Sequence, residues 1–321
     1  MQFFTLNSGD RIPALGLGTW KSAPGAVSAA IKEAIEAGYR HIDCAPIYGN
    51  EPEVGQALSE VLQVGTIARQ DLWITSKLWN NAHAPELVEP ALRQTLTDLG
   101  LDYLDLFLIH WPVVFTPGVL FAQKAEEYIP LADQPIIDTW RALEACKAKG
   151  LVRNLGVCNF TVAKLKALCD QATIQPAMNQ IELHPYLQQN EMLAFCRDQN
   201  IQLTAYSPLG SGDRPTPLKK QDEPTLLDNP VIEKVAAKHG ISPAQVLLAW
   251  GLGRGTVVIP KSTNPERIRQ NLAAAELKLD DQDMASLAAL DLGFRFVDGA
   301  FFCGKGSPYS LSFLWDTRSQ Q

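Results

Sequence analysis

The sequence is short of positive charge. Its 28 Lys and Arg stand against 35 Asp and Glu, a net charge of −7 over 321 residues. Nucleic acids and anionic membranes reward basic patches, so neither is expected as a partner. No apolar run reaches the roughly 18 residues of a membrane-spanning helix. The first ten residues have neither a basic n-region nor an apolar h-region, so no secretory signal is read there. The six cysteines are Cys44, Cys146, Cys158, Cys169, Cys196 and Cys303, and none form a C-x-x-C pair. Thiols scattered in this way fit a reduced, cytoplasmic protein better than a disulfide frame. His41, His83, His184 and His239 lack metal-ligand spacing, so no metal site is expected. No G-x-G-x-x-G follows a strand and opens a helix. Gly251, Gly253 and Gly255 lie between a helix and a strand, as a connection.

What is present alternates. Phe3 to Leu6 and Ile12-Pro13 flank Asn7-Ser8-Gly9-Asp10, the pattern of a short β-hairpin. Eight strand–helix units come next, with no linker between them. The strands are read at Ala14–Gly18, Tyr39–Asp43, Leu72–Lys77, Leu104–His110, Val152–Cys158, Ala177–Leu183, Gln202–Ser207 and Thr256–Pro260. Helical spacing is clear at Val27, Ile31, Ala34 and Ile35, and again at Val88, Leu92, Leu96 and Leu99. Gly38 suits a helix C′ position, Thr161 an N-cap, and Ser242-Pro243-Ala244-Gln245 a capping box. A long polar loop spans Pro208 to Asp228. An extra helix at Asp280–Leu290 precedes an irregular, phenylalanine-rich tail. Mostly continuous apolar strands suit a parallel sheet covered on both faces. A doubly wound open sheet shares the alternation, but eight units favour a (β/α)₈ barrel, as one domain over residues 1–321.

Polar residues close strand after strand: Asp43, Lys77, His110, Asn159, Gln180, Tyr206 and Lys261. Singly, each has an ordinary reading. A Lys at a strand end is usually solvated, and a lone His in an apolar strand is usually a satisfied core residue. Stability alone gives no reason to place them all on one face, and in a barrel that face carries the chemistry. Tyr48 lies in the loop after Asp43. A free phenol, with pKa near 10, is a poor acid at neutral pH. An adjacent Lys cation favours the phenolate and should lower that pKa, while a carboxylate keeps the Lys charged. A nearby His can hydrogen-bond a substrate oxygen. Such a set aims a proton at a developing alkoxide and suits carbonyl reduction. The hydride must come from a cofactor. A barrel hydrolase would need paired carboxylates or a metal cluster at the strand ends, and neither is read.

Gly-Tyr-Arg-His-Ile-Asp-Cys-Ala (38–45), with Tyr48, Glu51 and Gly55 after it, resembles the first signature of the aldo-keto reductase superfamily, near the aldose and aldehyde reductases. Residues 101–112 and 259–271 resemble its second and third signatures. Residues 156–160, 179–185 and 205–210 also match, and the likeness runs from Gly16 to about Leu290. The resemblance implies a catalytic tetrad of Asp43, Tyr48, Lys77 and His110, with Tyr48 as general acid. It implies that Asn159 and Gln180 hold a nicotinamide carboxamide and that Tyr206 stacks on the ring. Trp20 and Asp43 would also border the cofactor. Ser207, Leu209 and Ser211 would line the pyrophosphate under the long loop, and Arg267, Gln270 and Asn271 would surround the adenine end. Where the family often has Ser, this chain has Cys158. A thiol is the weaker donor, so looser carboxamide anchoring is expected. Related barrels also serve as non-catalytic NADP(H)-binding regulatory or structural proteins, and an intact tetrad argues against that role. A monomer is implied by resemblance.

Lys261-Ser262-Thr263 closes the last strand just before a helix N-terminus, and Arg267 lies one turn later. That position is a phosphate site in many barrels. Lys261, Ser262 and Arg267 together suit a 2′-phosphate, hence NADPH over NADH. Trp20, Trp79 and Trp111 end or follow strands, and Ile47, Phe115 and Phe121 lie in adjoining loops. With His110 they form the expected substrate mouth. The tail is expected to lie over the three tryptophans, with some of its phenylalanines in the core. An apolar rim over a polar floor fits aldehydes and ketones with a hydrophobic arm.

Overall fold

Asn7-Ser8-Gly9-Asp10 turns the chain back on itself, so that β1 (Phe3–Thr5) and β2 (Arg11–Pro13) pair antiparallel. The structure is a computed structural model and describes residues 2–317. Leu6 and Ile12 of this hairpin are buried against Trp73, Leu106, Met178 and Val257. The hairpin therefore plugs the N-terminal end of the main sheet.

The repeating units then run in order. They are β3 (Leu17–Gly18), α1 (Ala26–Ala37), β4 (His41–Asp43), α2 (Glu51–Val64), β5 (Trp73–Leu78) and α3 (Pro85–Leu99). β6 (Leu104–Ile109) is followed by a small hairpin, β7 (Val114–Phe115) and β8 (Tyr128–Ile129), and then α4 (Ile136–Ala148). Next come β9 (Val152–Cys158), α5 (Val162–Cys169), β10 (Met178–Glu182), α6 (Asn190–Asp198) and β11 (Gln202–Tyr206). The long loop leads to α7 (Pro230–His239), α8 (Pro243–Gly253), β12 (Val257–Val258) and α9 (Pro265–Ala273). α10 (Asp281–Ala288) and the short α11 (Leu311–Trp315) are the last elements.

The eight strands pair in parallel in the order β3-β4-β5-β6-β9-β10-β11-β12. Leu15 bridges in parallel to Val258, where Val258 N–H donates to Ala14 O and Gly16 N–H to Val258 O, each at 2.9 Å. First strand thus meets last, and the sheet closes as a (β/α)₈ barrel. Thr161, Ser242, Asn264 and Asp280 each accept a backbone N–H at a helix start. These caps satisfy donors that helices leave orphaned. Asp105, the one charge inside the fourth barrel strand, is buried and paired with Arg69 at 2.7 Å.

The small hairpin and α11 were not expected. Two-residue strands carry no alternation to read. Tyr309 holds the hairpin from the far end of the chain, donating its hydroxyl to Ile129 O at 2.5 Å and accepting Val114 N–H at 2.9 Å. Among the described residues, no helix is long and apolar enough to cross a membrane.

Candidate active site

Parallel strands in a barrel all end on one side, and the polar residues that close them meet there. Asp43 ends β4, Lys77 lies one residue short of the end of β5, and His110 follows β6. Asn159 follows β9, Gln180 lies in β10, Tyr206 ends β11 and Lys261 follows β12. Apart from the fully buried Lys77, these side chains line one cleft of about 980 Å³, which Tyr48 enters from the turn after β4. Among the described residues, eight non-glycine residues have left-handed backbone, and four of them, Lys21, Asn159, Ser207 and Ser211, border this cleft. Such strain collects where surrounding structure over-determines a geometry.

At the cleft floor Lys77 Nζ donates to Asp43 Oδ1 at 2.5 Å, to Cys44 O at 2.8 Å and to Tyr48 Oη at 3.2 Å. Burial works to lower the Lys77 pKa. The Asp43 carboxylate, with help from Tyr48, more than offsets it and holds the ammonium above its ordinary value. Gln180 Nε2 donates to the other Asp43 oxygen at 2.7 Å. The His110 ring stands edge-on to Tyr48, with centroids 5.9 Å apart. Burial first, then Lys77 and His83, push His110 well below its ordinary pKa, so it is a neutral imidazole. One expectation is corrected. Lys77 does pull the Tyr48 pKa down, but burial pushes it up more strongly, and the phenol lies above its ordinary value. The resting floor therefore holds a phenol that keeps its proton, beside a cation ready for the phenolate.

Next to the floor, Tyr206 Oη donates to Asn159 Oδ1 at 2.7 Å, and Asn159 Nδ2 donates to His110 O at 2.9 Å. Asn159 Nδ2 also lies 3.2 Å from Cys158 Sγ, while that thiol reaches Gln180 Oε1 only at 4.0 Å. Cys158 is buried yet lines the cleft. Gln180 Oε1 is thus left with a weak, distant donor. Ser207, Leu209 and Ser211 border the cleft further along.

One arm of the cleft runs to Lys261, Ser262, Arg267, Gln270 and Asn271. Two residues here carry no signal in the sequence. Lys21 donates to Ser211 Oγ at 2.7 Å and pairs with Asp213, which also reaches Lys261 at 3.2 Å. Asp213 thereby fastens the long loop to both sides of the arm. Its partners lie far away in sequence, so no local pattern announces them. Lys21, Lys261 and Arg267 set three cations against this one carboxylate. With the hydroxyl of Ser262 and the start of α9, that donor set fits a ligand bearing several phosphates.

The other arm is aromatic. Trp20, Ile47, Trp79, Trp111, Phe121 and the tail residue Phe301 line it. Trp79 Nε1 donates to Leu120 O at 2.8 Å and its ring meets Phe121 at 5.8 Å, which fixes that wall. Phe115 is a correction. It is only 2% exposed and does not border the cleft. β7 turns its ring inward, between Trp79, Tyr128 and Phe302. The tail covers Trp111 with Phe301, Phe302 and Trp315 at 5.0–6.0 Å. Trp20 stands apart from these pairs, beside Tyr48 at 6.4 Å. Phe296 is buried, and the backbone N–H groups of Phe296 and Val297 donate to the buried Glu182 at 2.6 and 2.7 Å. That bond pair anchors the tail and was invisible in the sequence.

The profile of the Aldo/keto reductase family matches residues 14–292. The chain is 55% identical over 316 residues to the Aldo/keto reductase slr0942 of Synechocystis, covering 98% of this chain and 97% of that protein. It is 49% identical over 294 residues to human Aldo-keto reductase family 1 member A1, covering 91% and 90%. The solved aldose reductase of Schistosoma japonicum superposes with a TM-score of 0.84 at 38% identity, covering 93% of this chain and 97% of that one.

Proposed function

The chain belongs to the aldo/keto reductase family, a family of oxidoreductases, and on that premise we propose that it reduces aldehydes and ketones to alcohols with NADPH. The observation that carries this reading is the buried Asp43–Lys77–Tyr48 chain, at the junction of a cationic and an aromatic arm.

When bound, the dinucleotide supplies the hydride that no side chain can give. Lys261, Ser262 and Arg267 would hold its 2′-phosphate, and Gln270 and Asn271 its adenine. Ser207, Leu209 and Ser211 would face its pyrophosphate, Asn159 and Gln180 its carboxamide, and Tyr206 its ring, with Trp20 and Asp43 alongside. Tyr48 holds a proton at Oη and gives it to the carbonyl oxygen as negative charge develops there. Lys77, 3.2 Å behind, stabilises the phenolate that remains. Asp43 keeps Lys77 charged and aimed. The neutral His110 lends a ring N–H to the same oxygen, a donor set in a largely dry floor where such contacts are strong. Trp20, Ile47, Trp79, Trp111 and Phe121 form the walls for the substrate's apolar arm.

The same reading has the chain acting as a monomer in the cytoplasm on small carbonyl compounds, with neither nucleic acid nor membrane as partner. Its net charge of −7 supports the absence of nucleic acid and anionic membrane as partners. The test is NADPH consumption across a panel of aldehydes, ketones and sugars. Turnover of hydrophobic aldehydes supports the proposal. Tight NADPH binding without any turnover would support a non-catalytic binding role instead.

A further inference from the structure

Glu51 opens α2, three residues after Tyr48, and is fully enclosed. No cation pairs with it among the described residues. Its partners are two hydroxyls: Ser76 Oγ donates to Oε1 at 2.6 Å, and Thr95 Oγ1 donates to Oε2 at 3.2 Å. A buried carboxylate without a counter-ion is costly, and burying a neutral residue there would be easier. Its position in the fold offers a reason for it. Ser76 and Lys77 are neighbours on β5, and successive strand side chains point to opposite faces. Lys77 turns into the barrel toward Asp43 and Tyr48, and Ser76 turns out toward the helices. Gly55 completes the arrangement. A Cβ there would lie 2.2 Å from Asp98 O and 2.7 Å from Leu99 C. Only glycine lets α3 approach α2 so closely, and that approach brings Thr95 within reach of Glu51.

We propose that Glu51 is a positioning residue for Tyr48: it clamps the turn that carries the phenol onto β5, at the residue next to Lys77, and so sets the Tyr48–Lys77 separation. The inference rests on the reading of Tyr48 as proton donor. Other bonds hold the turn at its ends, Asn50 Nδ2 to Thr19 O at 3.0 Å and Lys77 Nζ to Cys44 O at 2.8 Å. Among the described residues, the hydrogen bonds of Glu51 are what tie it to the outer face of β5. At 3.2 Å the phenol–ammonium contact is already long for a hydrogen bond, so a shift of a few tenths of an ångström matters. The clamp also titrates. Burial raises the Glu51 pKa to about 7, with the Ser76 and Thr95 hydroxyls opposing. Asp98 of α3 adds to the rise and Lys77 of β5 opposes it, while Cys44 is the titratable neighbour at the end of β4. Protonation turns one acceptor oxygen into a donor and reorders the clamp.

The experiment compares the wild-type protein with Glu51→Gln, Glu51→Ala and a control, Leu58→Ala, which weakens the same helix from its buried face. Two quantities are read. One is the pH profile of kcat for reduction of an aromatic aldehyde. The other is the ionisation of the Tyr48 phenol in the unliganded protein, by ultraviolet difference titration against Tyr48→Phe. The wild type should show an inflection near pH 7 that Glu51→Gln lacks. Glu51→Ala should lose roughly 10- to 100-fold in kcat, the scale of a misplaced catalytic group, with NADPH affinity little changed. Its phenol should ionise at higher pH, because Lys77 no longer sits close. Wild-type pH profiles and phenol titrations in both Glu51 variants would overturn the proposal, and so would equal changes in Leu58→Ala. If the wild type turned over no carbonyl, the reading of the reaction would fail instead. The phenol titration, which needs no turnover, would still decide the clamp.

Discussion

Tyr48 is the residue on which the proposed reaction turns, and its oxygen is the smallest change that tests it. Tyr48→Phe keeps the ring beside Trp20 and His110 and removes only the hydroxyl. Turnover should fall by ~10²-fold or more, the usual size of general acid catalysis. NADPH affinity, measured by calorimetry, should stay within about twofold. Near-normal turnover would take the proton-donor role away from Tyr48. Glu51 leads to a second expectation, in stability. Its folded pKa is raised from 4.5 to about 7, mainly by burial. A carboxyl raised in this way contributes its full share of stability below pH 4.5 and loses it as pH climbs through about 7. The wild type should therefore lose ground to Glu51→Gln across that window, read by chemical denaturation at several pH values. Equal slopes for the two proteins would contradict the assignment. Asp43, Lys77 and His110 were legible in the sequence because each closes its own strand. The direction of the Tyr48 pKa was not, because it depends on how completely the floor is enclosed.

At the scale of elements, the loop from Pro208 to Asp228 and the tail divide the cleft between them. The loop faces the cationic arm, so changes there should read out on the cofactor. Lys261→Ala or Arg267→Ala should weaken NADPH by roughly 10- to 150-fold, since a charge-assisted bond to phosphate is worth about 1.5–3 kcal/mol. NADH, which lacks the 2′-phosphate, should lose much less. Equal losses for the two cofactors would mean these residues do not read that phosphate. The tail faces the aromatic arm. Removing all of it from Phe294 would also take away the buried Phe296 and both backbone donors to the buried Glu182, so a single side chain makes the cleaner test. Phe301 is 40% exposed and lines the cleft. Phe301→Ala should cut kcat/KM for a bulky aromatic aldehyde by roughly 2- to 12-fold, the worth of one aromatic pair. A small aldehyde should notice little. Losses of the same size for both would make the tail a structural cover only. The long helices were legible from their spacing and caps. The β7–β8 hairpin was not, because Tyr309 and the tail hold it in place and its own four residues carry no pattern. Phe115 was misplaced for the same reason.

The whole molecule has one end for stability and one for chemistry. The N-terminal hairpin fills the first, with Ile12 wholly buried among Trp73, Leu106 and Met178. Ile12→Ala should cost about 2–5 kcal/mol in unfolding free energy, the usual range for emptying a core site. It should leave NADPH affinity unchanged, because the cleft opens at the opposite end. A loss of affinity as large as the loss of stability would argue that the two ends are coupled. Barrel closure was legible from eight alternating units, although the closing contact, Leu15 to Val258, joins residues too far apart for any local pattern to show. The belt of Lys21, Asp213 and Lys261 was hidden in the same way.

The aromatic arm has a further use to an experimenter. Of the seven tryptophans, Trp20, Trp79 and Trp111 line the cleft, while Trp140 and Trp250 are sealed in the core. Indole emits in the near ultraviolet, where a reduced nicotinamide absorbs. A dinucleotide settling between Trp20 and Tyr206 would drain that light and return it as its own blue glow. The protein would then signal occupancy of its cleft unlabelled, fast enough to time the arrival and departure of each ligand in a stopped-flow cell.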